Sequence, residues 1–122
     1  MTYARQALGQ FGEDVAAEEL ERRGYEILAR RYRTRHGEID IVARDGDTIV
    51  FVEVKARATA EFGTAAEAVT PWKQRRLAAM AADYLARSRV APCPCRFDVV
   101  AIDGMGDTMR ITVYRDAFML QR

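Results

Sequence analysis

Gly37-Glu38-Ile39-Asp40-Ile41-Val42-Ala43-Arg44 is followed, after Asp45-Gly46-Asp47, by Thr48-Ile49-Val50-Phe51-Val52-Glu53-Val54-Lys55. Both runs are rich in β-branched residues and the segment between them has turn chemistry, so the stretch reads as a β-hairpin. A loop of two or four residues makes cross-strand partners sum to an odd number. That parity puts Glu38, Asp40, Glu53 and Lys55 on one face and Ile39, Ile41, Val50, Val52 and Val54 on the other, the expected core face. With Asp45 paired to Thr48, Asp40 lies directly opposite Glu53; a two-residue slip leaves the two diagonal, at roughly 7–8 Å. A three-residue loop would break the parity.

Like charges facing each other on a sheet are destabilising. A divalent cation between the carboxylates of Asp40 and Glu53 would remove the repulsion, because hard cations take carboxylate and carbonyl oxygens. Lys55, two residues beyond Glu53, would then stabilise an anionic transition state or orient a water. A half-exposed hairpin with solvated acids, neutralised by Lys55, accounts for the spacing equally well.

At 122 residues the chain is expected to form a single domain spanning 1–122. Apolar residues at 49% and charged residues at 30% describe an ordinary globular composition. The net charge of +1 argues against a globally basic protein, so any nucleic-acid contact must come from local clusters. Neither a signal-peptide pattern nor a bilayer-length apolar run is visible, and the expected location is cytoplasmic, away from membranes. Cys93 and Cys95 in Pro92-Cys93-Pro94-Cys95 are too close for an ordinary disulfide and lack the second ligand pair of a zinc site; they read as reduced thiols in a connector.

Around the hairpin, Arg5 to Arg23 reads as a helix with an apolar stripe of Leu8, Phe11, Val15, Ala16 and Leu20, stopped by Gly24. Glu13 flanks that stripe and Glu19 projects nearer its middle, so periodicity does not choose between them. Tyr25 to Arg33 reads as a strand. Arg30, Arg31, Arg33 and Arg35, interleaved with Tyr32, form the densest basic cluster and suit a phosphate backbone, or else a charged strand edge. His36 is expected in an exposed turn. The segment 56–64 reads as a loop leaving the proposed site, with Arg57 and Phe62 as candidate substrate contacts. Thr70-Pro71 opens a second helix with Leu77, Met80, Ala81, Tyr84 and Leu85 on its apolar face, reaching about Ser88. Lys73, Arg75 and Arg76 project from its first turns, as phosphate contacts or a solvated face. Arg96 to Ile102 reads as a central strand covered on both sides, with Asp98 paired to Arg96 or another arginine. Arg110 to Tyr114 reads as a last strand, and the tail Ala117-Phe118-Met119-Leu120 would cap the core or meet a partner.

The order α-β-β-β-α-β-β implies an α/β domain with a mixed central sheet flanked by helices. Asp40 followed by Glu53-Val54-Lys55 resembles the Asp…Glu-x-Lys signature of the restriction-endonuclease-like nuclease superfamily. Gly12-Glu13 with Ala16 and Leu20, Gly24-Tyr25, Gly37-Glu38-Ile39-Asp40, Phe51 to Arg57, and Arg96-Phe97-Asp98-Val99-Val100 together resemble the YraN family of uncharacterised bacterial proteins across nearly the whole chain. That family is similar in layout to Holliday-junction resolvases, in which a first-helix glutamate joins the metal site; the matching position is Glu13. The superfamily often has proline before the first aspartate, where this chain has Ile39.

The resemblance implies a restriction-endonuclease-like core. It also implies a metal-dependent nuclease acting on DNA, including branched or structured DNA. Asp40, Glu53, the Val54 carbonyl and Glu13 would hold Mg2+ (or Mn2+), Lys55 would act on the water or the phosphate, and Glu38 would support the site from behind. Arg30, Arg31, Arg33, Arg35, Arg57, Lys73, Arg75 and Arg76 would contact nucleic acid. A branched substrate would suit a homodimer. Two other readings fit the same sequence: a catalytically inactive nucleic-acid-binding or adaptor module on this fold, and a protein-interaction domain using the Phe118-Met119-Leu120 tail.

Overall fold

A computed structural model of the chain describes residues 2–57, 69–104 and 106–118, with side chains from residue 10 onward. In chain order the elements are helix α1 (Thr2–Arg22), strands β1 (Glu26–Thr34), β2 (Gly37–Asp45) and β3 (Thr48–Arg57), helix α2 (Pro71–Ser88), and strands β4 (Cys95–Asp103) and β5 (Arg110–Tyr114), with a short 3-10 turn at Gly106–Thr108. The five strands form one sheet in the order β1-β2-β3-β4-β5. All neighbours are antiparallel except β3 and β4, which run parallel because α2 carries the chain back between them. The expected α/β class and mixed sheet are therefore observed. No described helix is long and apolar enough to cross a membrane.

The hairpin takes the two-residue loop. Asp45 pairs with Thr48 and Ile41 with Val52, a constant sum, and Gly46 at φ +63° makes the reversal. The expectation of one apolar face is corrected, because both faces of the sheet are buried. Ile41, Val50 and Val52 pack with Ala16, Ala17 and Leu20 of α1, whereas Val42, Ile49 and Phe51 pack with Leu77, Met80, Ala81 and Tyr84 of α2. Ile39 joins the α2 cluster while Ile41 joins the α1 cluster, so the two do not share a face as strand parity requires. The Arg30–Ile41 and Tyr32–Ile39 pairs keep one register, with Arg31, at a left-handed φ of 52°, opposite Asp40; the bulge of this ladder lies between Ile27 and Ala29. Each large side chain fully buried in these layers, such as Phe51 or Ile41, contributes about 1.5–3 kcal/mol.

Helix α2 follows its sequence signals closely. Thr70 caps it, accepting the Lys73 N–H at 3.2 Å, Pro71 opens it, and Leu77, Met80, Ala81 and Tyr84 are its buried residues. Helix α1 departs from expectation in its start, at Thr2 rather than Arg5, and in its apolar stripe. Phe11 is 48% exposed, and the buried line runs instead through Gly12, Ala16, Ala17 and Leu20. Phe118 stacks on Phe97 with ring centroids 5.0 Å apart, so the start of the tail caps the α2-side core. Met119 and Leu120 lie outside the described residues, as does Phe62.

Candidate metal and nucleic-acid site

The β2–β3 ladder runs as far as Ile41–Val52. One step beyond, Asp40 Oδ2 accepts the main-chain N–H of Val54 at 2.8 Å, so a side chain takes the donor that a longer ladder would have used. This bond ties the first acid to the Glu53-Val54-Lys55 segment and leaves Oδ1 of Asp40 for another partner. Burial pushes the Asp40 carboxyl up, to about 7. The charge on Glu53 adds to the rise, the Val54 N–H opposes it, and Glu13 and Glu38 add further repulsion. Three other acids, from α1, β2 and β3, therefore act on Asp40.

Glu13 arrives through a close helix–strand approach. A Cβ on Gly12 would stand 2.8 Å from the Cβ of Ala56, so only glycine lets α1 lie this near β3. Glu13, whose side chain is 13% exposed, accepts from Arg31 Nε at 2.6 Å. Arg31, left-handed and opposite Asp40 in the β1–β2 register, is the residue whose guanidinium reaches α1. Glu53 accepts from Lys73 Nζ at 3.2 Å, which places its side chain on the α2 side of the sheet. Lys55, two residues on, leaves β3 from that same side and has no ion-pair partner among the described residues. Glu38 accepts from the largely exposed Arg33 at 3.1 Å, a surface pair of little energetic weight. Glu19 pairs with Arg22 and Arg23 on α1, which separates it from Glu13. Among the described residues no three of these carboxylates converge on one point; Glu13 is paired with Arg31 and Glu53 with Lys73.

The basic cluster is largely engaged within the fold. Arg30 donates to Asp14 at 2.6 Å, Arg31 to Glu13 and Arg33 to Glu38, while Arg35 Nε meets only His36 Nε2, at 3.5 Å. Tyr32 is not an aromatic spacer among the arginines. It packs edge-on against Tyr84 at 5.1 Å, with its hydroxyl buried and without a partner. Arg57 pairs with Asp103 at 2.9 Å across β3 and β4. On α2, Arg75 is exposed and Arg76 lies over the ring of Trp72 at 5.0 Å. Trp72 itself, 59% exposed, was not anticipated. A signal was available, since a tryptophan directly after Pro71 falls off the stripe that Leu77, Met80 and Tyr84 define.

At the turn end of the hairpin a second polar group serves the fold. Asp98, buried in β4, accepts from Arg96 Nε at 2.9 Å, Tyr25 OH at 3.1 Å and the Asp116 N–H at 2.9 Å. Arg96 also reaches Tyr25 OH at 2.7 Å and Asp45 at 3.1 Å. The expected Asp98–Arg96 pairing is observed, and burial followed by the Asp98 charge holds the Tyr25 hydroxyl above its ordinary pKa. Every buried charge here is matched, the condition under which such a group is tolerated.

Residues 12–102 match the family described as "Uncharacterised protein family UPF0102". A UPF0102 protein of Symbiobacterium thermophilum is 51% identical over 112 residues, covering 91% of this chain and 95% of its own length. One from Geobacter sulfurreducens is 50% identical over 114 residues, covering 93% and 89%. A third, from Pelotomaculum thermopropionicum, is 43% identical over 120 residues, covering 97% and 100%.

Proposed function

The chain belongs to the uncharacterised protein family UPF0102, and for it we propose metal-dependent hydrolysis of phosphodiester bonds in DNA. The observation that carries this reading is the hydrogen bond from the Val54 N–H to Asp40, which draws the first acid to the strand bearing Glu53 and Lys55. An α helix, a three-stranded meander, a crossover helix and a parallel fourth strand are also the parts of a restriction-endonuclease-like core. The donor set fits a hard divalent cation: it is all oxygen, and burial first, then the charge on Glu53, raises the Asp40 carboxyl, a rise that a cation beside it would offset. Asp40, Glu53, the Val54 carbonyl and Glu13 would hold Mg2+ or Mn2+, with Glu38 behind them. Bound there, the ion would polarise the phosphate and lower the pKa of an attacking water. Lys55 would hold a non-bridging phosphate oxygen or orient that water. Arg31 and Lys73 would release Glu13 and Glu53 as the ion enters, and their charges would then face the phosphates.

One observation favours a second reading, a nucleic-acid-binding module without catalysis. The carboxylates of Glu13 and Glu53 are already satisfied by Arg31 and Lys73. The two readings separate when purified protein is incubated with magnesium or manganese and a panel of duplex, single-stranded, flap and four-way DNA, with RNA alongside. Cleavage that disappears in Asp40→Asn, Glu53→Gln and Lys55→Ala, with folding intact, supports the nuclease. Salt-sensitive binding that needs Arg75 but not the carboxylates, with no cleavage of any member, supports the module.

A further inference from the structure

We propose that Trp72 is a stacking platform for an unpaired base, so that the site engages DNA through a single-stranded segment rather than through continuous duplex. This rests on the reading above for what the site does, and it names the substrate feature the site grips.

Among the described residues two large hydrophobic side chains are exposed, Phe11 and Trp72. Each stands within two residues of a group at the acid cluster: Phe11 two before Glu13, and Trp72 one before Lys73, whose ammonium lies 3.2 Å from Glu53. Trp72 belongs to neither core cluster. Tryptophan pairs a large apolar face with a polar edge, the combination enriched where one side of a ring meets a partner and the other stays wet.

The surroundings decide what kind. The first turns of α2 carry Lys73, Arg75 and Arg76 and no acid. Arg76 stacks on the indole at 5.0 Å and packs against the backbone of Gly37, where a Cβ would come 3.3 Å from its Nε. Its Nε is buried without a hydrogen-bond partner. One side of the ring is thus backed by the Arg76 guanidinium while much of its surface stays open. An apolar protein partner would meet the Arg76 guanidinium on the ring itself, with the exposed Arg75 on the same first turns of the helix. A polyanion with flat apolar bases satisfies both the charges and the indole, and an aromatic ring with basic neighbours is how single strands are gripped without sequence preference. Bases in continuous duplex are stacked on each other and cannot offer a face.

Trp72 is the only tryptophan in the chain, so intrinsic fluorescence reports on this residue alone. Full-length protein in EDTA, where no cleavage can occur, is titrated with a short oligo(dT) and with blunt duplex of equal length. Labelled-DNA anisotropy follows binding in parallel. Oligo(dT) should quench the emission, duplex should quench it far less, and Trp72→Ala should weaken oligo(dT) binding by roughly five- to a hundredfold while Trp72→Phe retains most of it. Equal quenching by duplex, oligo(dT) binding that Trp72→Ala leaves unchanged, no quenching or binding by oligo(dT), a preference for an RNA strand, or an emission change driven by protein concentration alone would each overturn the proposal. Because the assay contains no metal, quenching together with a failure to cleave anything under magnesium sinks the nuclease reading and leaves the platform standing.

Discussion

Gly12 and Ala56 meet so closely that a single carbon added to Gly12 would lie 2.8 Å from the Ala56 Cβ. A glycine inside a helix ordinarily costs about 1 kcal/mol relative to alanine, so here contact between helix and sheet outweighs propensity. Gly12→Ala should therefore destabilise, by about 1–3 kcal/mol, because α1 must lift from β3. Chemical denaturation would show the loss. Glu13, the next residue, moves with the helix, so metal affinity measured by calorimetry should fall in the same variant. A gain in stability would mean that α1 does not lie this close.

Asp98 tests the opposite end of the sheet. Removing its charge in Asp98→Ala leaves Arg96 and the Asp116 N–H without their shared acceptor, and should cost about 3–5 kcal/mol. Tyr25→Phe removes one hydroxyl that donates to Asp98 and accepts from Arg96, and should cost about 1–2 kcal/mol. Both variants should keep the parent's metal affinity wherever they remain folded. A urea series with a metal titration of each separates support of the fold from a part in the site.

The hairpin register was legible because a short Gly-containing turn leaves little choice, and one register then sets every facing pair from Asp45–Thr48 to Ile41–Val52. Burial on both faces was also written there, in Val42 and Phe51 lying on the same parity as the acids, but the charges drew the reading toward a solvated face. The left-handed turn of Arg31 was not legible. No turn or helix-end signal marks the position, unlike Arg89 at the end of α2, and its contact with Glu13 comes from 18 residues away. The partners of the arginine cluster stayed hidden for the same reason. A row of guanidinium groups in sequence looks alike whether it faces phosphates or the acids Asp14, Glu13 and Glu38.

Lys73 should act as a competitor for the ion. Its ammonium holds Glu53, so a cation entering the site must displace it. Lys73→Met should lower stability in metal-free buffer, leaving the half-buried Glu53 unpaired. It should also tighten magnesium binding by several-fold, since a pair of this kind is worth up to about 1 kcal/mol. Adding magnesium should then stabilise the variant more than the parent, which thermal shifts at a series of magnesium concentrations would show. Equal shifts for the two proteins would take Glu53 out of the metal site.

Asp40 sets the pH dependence. Its carboxyl sits near 7 in the fold, against about 3.9 in an unfolded chain. A raised acid binds its proton more tightly when folded, so the stability linked to that proton is fully present below about pH 4 and is lost as pH climbs through about 7. In metal-free buffer the parent should therefore lose on the order of 2–4 kcal/mol between those limits from this group. Asp40→Asn keeps an oxygen to accept the Val54 N–H and has no proton to lose, so its stability should fall less over the same range and exceed the parent's near pH 8. Magnesium at that pH should reverse the order, stabilising the parent by pairing with the carboxylate and leaving Asp40→Asn nearly unchanged. Denaturation curves for both proteins at acid and alkaline pH, with and without the ion, test each step. Parallel pH profiles without metal would show that the carboxyl ionises freely, and its burial and the repulsion from Glu53, Glu13 and Glu38 would then have to be abandoned as causes.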